Sequence, residues 1–249
     1  MRLLKYPKNL IIGKNNYIQK NVKIYENVII GNNNKIYNGT VIYPNTCIGN
    51  NNVILNNNIL GEHPVDSNDI YKNKIFNGLE IGDNNFFHVD NLIFNGYYKK
   101  TIIGNNNKLL SENHIGHDTY ISNNVVLYPR CITGGLSKLM PFSTMGLNAC
   151  IQQNTVLGHY SMVGMGNFAS HNVFPFFIYF NQKYLRINKK KMPDELNVDK
   201  YIDDLHNIIN DLKTSNTKFD KNILDKYNLS MDIKKYIIDF INEVKIYKL

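Results

Sequence analysis

The sequence predicts a mainly β fold, a left-handed parallel β-helix of hexapeptide repeats followed by a small C-terminal α-helical domain. Three observations predict it. An apolar residue recurs every six positions at Ile12, Ile18, Ile24, Ile30, Ile36, Ile42, Ile48, Ile54 and Leu60. The beat returns at Ile103 and runs through Leu109, Ile115, Ile121, Leu127, Thr133, Leu139, Met145, Ile151, Leu157 and Val163, with only Thr133 departing from apolar type. A helix needs 3.6-residue spacing and a half-buried strand needs two, so a period of six belongs to neither. Second, Gly13, Gly31 and Gly49 each follow an inward residue at intervals of 18, the length of one three-sided coil. Third, beyond about Pro193 the apolar spacing becomes helical.

Taken in order, coils are expected over about residues 8–62. The position two before each inward residue is small, apolar or amide, as at Leu10, Asn16, Val22, Asn34, Thr40, Thr46, Asn52 and Asn58. Runs such as Asn32-Asn33-Asn34, Asn50-Asn51-Asn52 and Asn105-Asn106-Asn107 suit tight corners, because asparagine tolerates left-handed backbone. The beat breaks over 63–80, resumes at Ile81-Gly82 and Phe87-His88, and breaks again over about 90–101. A flat hexad strand cannot absorb such segments, so both are expected to loop outward, where solenoid insertions commonly form a binding face. The coils then continue to Val163 or Ala169, and Phe174-Pro175-Phe176-Phe177 ends them. This gives a solenoid domain of residues 1–188 and a helical domain of 189–249. Val198, Tyr201, Ile202, Leu205, Ile208, Ile209 and Leu212 mark a first helix; Phe219, Ile223, Leu224 and Tyr227 suggest a second. Ser230 is placed to cap a third, whose face is Ile233, Tyr236, Ile237, Phe240, Ile241 and Val244.

At 249 residues and 43% hydrophobic content, the chain suffices for one large core plus an appendage. Neither an apolar leader over Met1–Asn9 nor an uninterrupted apolar run of membrane length is present, so a cytoplasmic location is expected. Cys47, Cys131 and Cys150 lack metal-type spacing and read as core fillers; no metal is expected. The net charge of +8 is spread along the chain, and its one dense run is Lys189-Lys190-Lys191. That distribution argues against nucleic acid and fits either an anionic protein or phosphate-bearing substrate, or equally a solvated basic surface with no particular partner.

The chemistry is expected in Asn113-His114-Ile115-Gly116-His117-Asp118. With Ile115 inward, His117 stands two places on and points away from the core. An aspartate beside it can fix the imidazole tautomer and raise its basicity, as a general base acting on a hydroxyl requires.

This run, the Asn-rich hexads, the segment Gly158-His159-Tyr160-Ser161-Met162-Val163-Gly164 with Pro175, and the C-terminal helices resemble the UDP-N-acetylglucosamine acyltransferases of lipid A biosynthesis. The likeness covers most of the chain as architecture and is densest over 103–177. It implies a homotrimeric left-handed β-helix that moves an acyl group from a thioester carrier, acyl carrier protein or coenzyme A, to a nucleotide sugar. Neither a tightly bound cofactor nor a membrane span is implied. By the same resemblance His117 is the general base and Asp118 its orienting partner. His114 lines the sugar site, and the Gly135 N–H is the oxyanion donor, a position whose spacing equally suits a coil corner. Asp66 matches a sugar-binding aspartate, and Gln152, Gln153 and Met165 fall where substrate is bound. The chain departs from the family pattern where a histidine usually stands, at Leu136, and at Gln152-Gln153, where the pattern is His-Gln. The family's arginine-paired segment between solenoid and helices is also absent. Met165 is bulkier than the glycine common there, which favours a short acyl chain. These changes suggest a paralogue that acylates the 3-hydroxyl or 3-amine of a nucleotide-activated sugar for lipopolysaccharide or other surface-glycan synthesis. Two alternatives stand beside it. One is an acetyl-CoA-dependent N-acetyltransferase of nucleotide amino sugars; the other is a non-catalytic sugar-binding solenoid, since a fold alone does not prove catalysis.

Overall fold

In the computed structural model of the chain, residues 9–64, 76–189, 192–214 and 221–244 are described. Their short strands stack into three sheets of eight, ten and eight strands, parallel but for one closing hairpin. Each coil visits the three sheets in turn, and inward residues stack one per coil. Ile30 pairs with Ile48 on the first sheet, Ile36 with Ile54 on the second, and Ile42 with Leu60 on the third. These residues are fully or almost fully buried, whereas Ile12, at the first coil among the described residues, is 43% exposed. A column of like residues packed every coil is thus the core.

Corners are made by the asparagines. Asn15, Asn33, Asn51, Asn106 and Asn124 adopt left-handed backbone with φ between 57 and 60°. Where the following residue is again asparagine, as at Asn34, Asn52, Asn85 and Asn107, its amide is buried: the N–H of Asn52 donates to Asn34 Oδ1 at 2.9 Å, and that of Asn85 to Asn52 Oδ1 at 2.9 Å. Coils therefore hydrogen-bond through buried side-chain amides as well as through strands, which leaves few corner N–H groups unpaired. A glycine is required where corners press together. A Cβ on Gly31 would lie 2.5 Å from the carbonyl oxygen of Gly49.

Both breaks in the beat are shorter than the sequence suggests. Leu79–Ile81 is a strand of the first sheet, so the first insertion ends by residue 78. Leu92–Phe94 is a regular strand of the third sheet, pairing with Ile59 and His114, and Ile93 is fully buried. Only the segment between Phe94 and Thr101 is extra; the phenylalanine and asparagine neighbours of Ile93 hid an ordinary hexad. The two insertions brace each other, since Gly78 and Gly96 form an antiparallel bridge and the Asn77 N–H donates to the Gly96 carbonyl at 2.9 Å.

The aromatic run at 174–177 does not end the stack. Phe177–Phe180 pairs in parallel with Met162–Val163 and turns back antiparallel onto Lys183–Ile187. Helices α1 (Ile202–Thr214) and α2 (Met231–Glu243) follow, and the Ser230 hydroxyl accepts the Ile233 N–H at 3.4 Å as the expected cap. The expected middle helix is a 3-10 segment, Lys221–Lys226, and Phe219 lies outside the described residues. Leu205, Ile208, Ile209, Ile233, Ile237 and Phe240 pack on Val156, Phe174, Phe176 and Phe177, so the solenoid itself covers the helical face. Lys138 of the solenoid also pairs with Glu243 of α2 at 2.6 Å.

Only Cys131 is a core residue. Cys47 and Cys150 directly precede the inward Ile48 and Ile151, and strand alternation turns them outward, against the expectation of three core fillers.

Candidate active site

The corner between the third and first sheets holds His117 and Asp118. Asp118 takes the left-handed slot, with φ of 60°, that Asn27 and Asn45 fill in earlier coils. Its carboxylate is fully buried yet accepts from several donors. Oδ1 accepts the backbone N–H groups of Tyr97, Tyr98 and Lys99 at 3.0, 2.8 and 2.6 Å. Oδ2 lies 2.6 Å from His117 Nδ1. Such a ring of N–H groups compensates a buried negative charge. Because a carboxylate only accepts, the His117 proton sits on Nδ1 and leaves Nε2 with a free lone pair. His117 keeps 35% of its side chain exposed, so Nε2 is reachable.

Nε2 faces Gly135 one coil on. A Cβ there would meet Nε2 at 2.5 Å and Cε1 at 2.7 Å, which is why no larger residue fits. The Gly135 N–H has no acceptor among the described residues, while its carbonyl accepts from Asn154 and the next N–H, of Leu136, donates to the His117 carbonyl at 2.8 Å. A base and an uncommitted backbone donor thus share one corner.

His114 projects from the strand His114–Ile115, half-buried and edge-on to Phe94 at 5.1 Å between ring centres. Burial lowers its pKa, which favours the neutral imidazole. Gln152 and Gln153 are exposed one coil above Gly134 and Gly135, on the same corner as His117. Met165, 62% exposed, stands at a different corner, between the second and third sheets. Asp66 lies outside the described residues.

Two contacts escaped the sequence reading. Thr133, the one polar inward residue, is buried beneath the reactive corner, and its hydroxyl accepts the Gly116 N–H at 3.1 Å. The short insertion around Tyr97 proves to be part of the site: the Tyr97 ring stands 6.2 Å from the imidazole of His117. Its length, four residues beyond a regular hexad, was the available signal.

Residues 9–44 match the family model for bacterial transferase hexapeptide, six repeats. A segment of 132 residues is 30% identical to an acyl-[acyl-carrier-protein]–UDP-N-acetylglucosamine O-acyltransferase of Campylobacter concisus, covering 51% of this chain and 50% of that one. A namesake from Sinorhizobium fredii is 28% identical over 76 residues, covering 30% of this chain and 28% of its own. The chain thus spans from about a quarter to half the length of these curated relatives in alignment. The solved UDP-N-acetylglucosamine acyltransferase of Bacteroides fragilis superposes with a TM-score of 0.70 at 26% identity, over 92% of this chain and 95% of that one. That of Campylobacter jejuni gives 0.67 at 23% identity, over 96% and 92%, a likeness of fold. By repeat, by alignment and by superposition, the chain is a hexapeptide-repeat β-helix protein that resembles the UDP-N-acetylglucosamine acyltransferases.

Proposed function

We propose that the chain is an acyltransferase that moves an acyl group from a thioester carrier to the 3-hydroxyl or 3-amine of a nucleotide-activated sugar such as UDP-N-acetylglucosamine, in lipopolysaccharide or surface-glycan synthesis. The observation that carries this is the His117–Asp118 pair, with Nδ1 held at 2.6 Å and Nε2 turned to Gly135. Relatives named as acyl-[acyl-carrier-protein]–UDP-N-acetylglucosamine O-acyltransferases support the acyl-transfer reading.

In the reaction, Nε2 takes the acceptor proton as the oxygen or nitrogen attacks the thioester carbonyl. Asp118 stabilises the imidazolium that results. The tetrahedral oxyanion is met by the Gly135 N–H, a donor type worth roughly 3 kcal/mol of barrier. Collapse breaks the carbon–sulfur bond, the thiolate leaves, and Nε2 returns the proton to it.

A place for the acyl chain is supported by the third sheet. Outward from His114, successive strands present Ile132, Cys150 and Phe168 in register, with Ile132 46% and Phe168 53% exposed. This apolar track leads away from the reactive corner, as a hydrocarbon tail requires. Met165 stands at the corner that leads into that last strand and would limit chain length. A homotrimer is the assembly we infer, for a three-sided prism with flat faces closes by three-fold symmetry. In it, the Met165 corner of one copy would meet the His117 corner of the next. His114, Asp66, Gln152 and Gln153 are assigned to the sugar.

The test is release of thiol from acyl carrier protein or coenzyme A thioesters with a panel of nucleotide sugars and amino sugars. His117→Ala is expected to lower kcat/KM by about 10³-fold. Appreciable activity in that variant with an amine acceptor would instead favour the N-acetyltransferase.

A further inference from the structure

Tyr98 is 70% exposed, and its neighbour Lys99 is exposed as well. A lone exposed tyrosine carries no message. This one is held in place by the reactive pair. The three successive N–H groups of Tyr97, Tyr98 and Lys99 all donate to Asp118 Oδ1, so the segment has little freedom. Asn77 Nδ2 fixes the Tyr97 carbonyl at 2.9 Å from the other insertion. With the backbone so pinned, the Tyr97 ring is turned toward His117, and Tyr98 stands edge-to-face on Tyr97 with ring centres 4.6 Å apart. The result is an aromatic face, two ring steps of 4.6 and 6.2 Å from the imidazole, with the exposed Lys99 next to it in the chain.

We propose that Tyr98 is the stacking platform for the nucleobase of the acceptor, with Lys99 placed for its diphosphate; this rests on the reading of a nucleotide-sugar acceptor given above. When the sugar hydroxyl or amine is at Nε2, the remainder of the acceptor must lie off the corner, and Tyr98 is the exposed aromatic face on the rim that Asp118 orders. A flat ring held before binding gains affinity because its ordering cost is already met. Stacking of a base on such a ring tolerates different bases, because every base has a π-face. Lys99 adds a charge that phosphate complements.

The experiment is steady-state kinetics of the full chain with UDP-N-acetylglucosamine and an acyl carrier protein thioester. Tyr98→Ala should raise the acceptor KM roughly tenfold or more, leave kcat within about threefold and leave the donor KM unchanged. Tyr98→Phe should restore the KM, and Lys99→Ala should raise it several-fold. Inhibition by UDP alone should weaken in parallel in Tyr98→Ala. An unchanged acceptor KM would overturn the proposal, as would a change in oligomeric mass on light scattering that accounts for any loss. If the wild-type chain turns over no nucleotide sugar, the functional reading fails separately. Saturation-transfer NMR of UDP then decides: a signal present in wild type and lost in Tyr98→Ala supports the platform, and equal or absent signals reject it.

Discussion

Two histidines occupy the same place in their hexads, at different corners of the coil. His117 follows Ile115-Gly116 and precedes Asp118; His159 follows Leu157-Gly158 and precedes Tyr160, and both following residues are left-handed, at 60 and 56°. Spacing does not tell them apart, but surroundings do. Beside His117 the left-handed residue is a carboxylate tied to a loop, and the corner remains open. Beside His159 it is an aromatic ring, stacked on Phe142 at 4.7 Å and crossed by Tyr236 of α2. His159 is buried to 4% exposure, its Nδ1 has no partner among the described residues, and burial drives its pKa down to about 4. One hexad slot thus holds, at one corner, a solvent-reached imidazole oriented by a carboxylate, the base of the proposed reaction, and at another a neutral packing residue that helices cover.

The comparison breaks most severely at Asp118. In Asp118→Ala the three N–H groups of 97–99 and the imidazole all lose their acceptor. Activity is expected to fall by about 10³-fold or more, with loss of thermal stability from the freed loop. Asp118→Asn separates the two duties. The amide oxygen still holds the loop, but the amide nitrogen donates to Nδ1 and places the imidazole proton on Nε2. Near-wild-type melting with activity about 10²- to 10⁴-fold lower is expected, and equal melting and activity losses in both variants would refute the division. Tyr160→Phe at the covered corner should leave turnover unchanged.

Next in size is Gly135→Ala. The added methyl would fall 2.5 Å from Nε2 and must displace the imidazole, so kcat is expected to drop about 10²-fold with the fold intact by circular dichroism. On the apolar track, Phe168→Ser should lower kcat/KM for a long-chain donor by about tenfold and spare a short one, whereas Met165→Gly should shift preference toward longer chains. Equal effects on both donors would remove the track from the acyl site.

The fold was legible because a period of six leaves few architectures, and Asn-rich corners agreed with it. His117 with Asp118 was legible because sequence neighbours at a known phase are spatial neighbours too. What was not legible depended on contacts across coils. The three N–H groups reaching Asp118 come from residues 19 to 21 positions earlier, and nothing in Tyr97-Tyr98-Lys99 by itself announces a carboxylate partner. Thr133 looked like a lapse in the beat until its hydroxyl was found beneath Gly116. Cys47 and Cys150 were misplaced through their phase, one residue short of the inward position.

The smallest expected effect belongs to the covered histidine and concerns stability alone. His159 faces Tyr236 as a ring neighbour, and Asp239, Lys138 and Lys235 are the charges that act on it. Burial dominates and lowers its folded pKa from 6.5 to about 4, although Asp239 acts in the opposite sense. The unfolded chain therefore binds this proton first as pH falls. Stability should be full above pH 6.5, decline as pH drops toward 4, and level off below, a loss of at most about 3 kcal/mol from this group. Thermal melts of His159→Phe, whose ring keeps the stack on Tyr236 without a titrating nitrogen, should show a flatter decline over that window. The pH dependence of turnover should be the same in both proteins, because the proton that matters for transfer is on His117; a shifted activity profile in His159→Phe would show that the two corners are not independent.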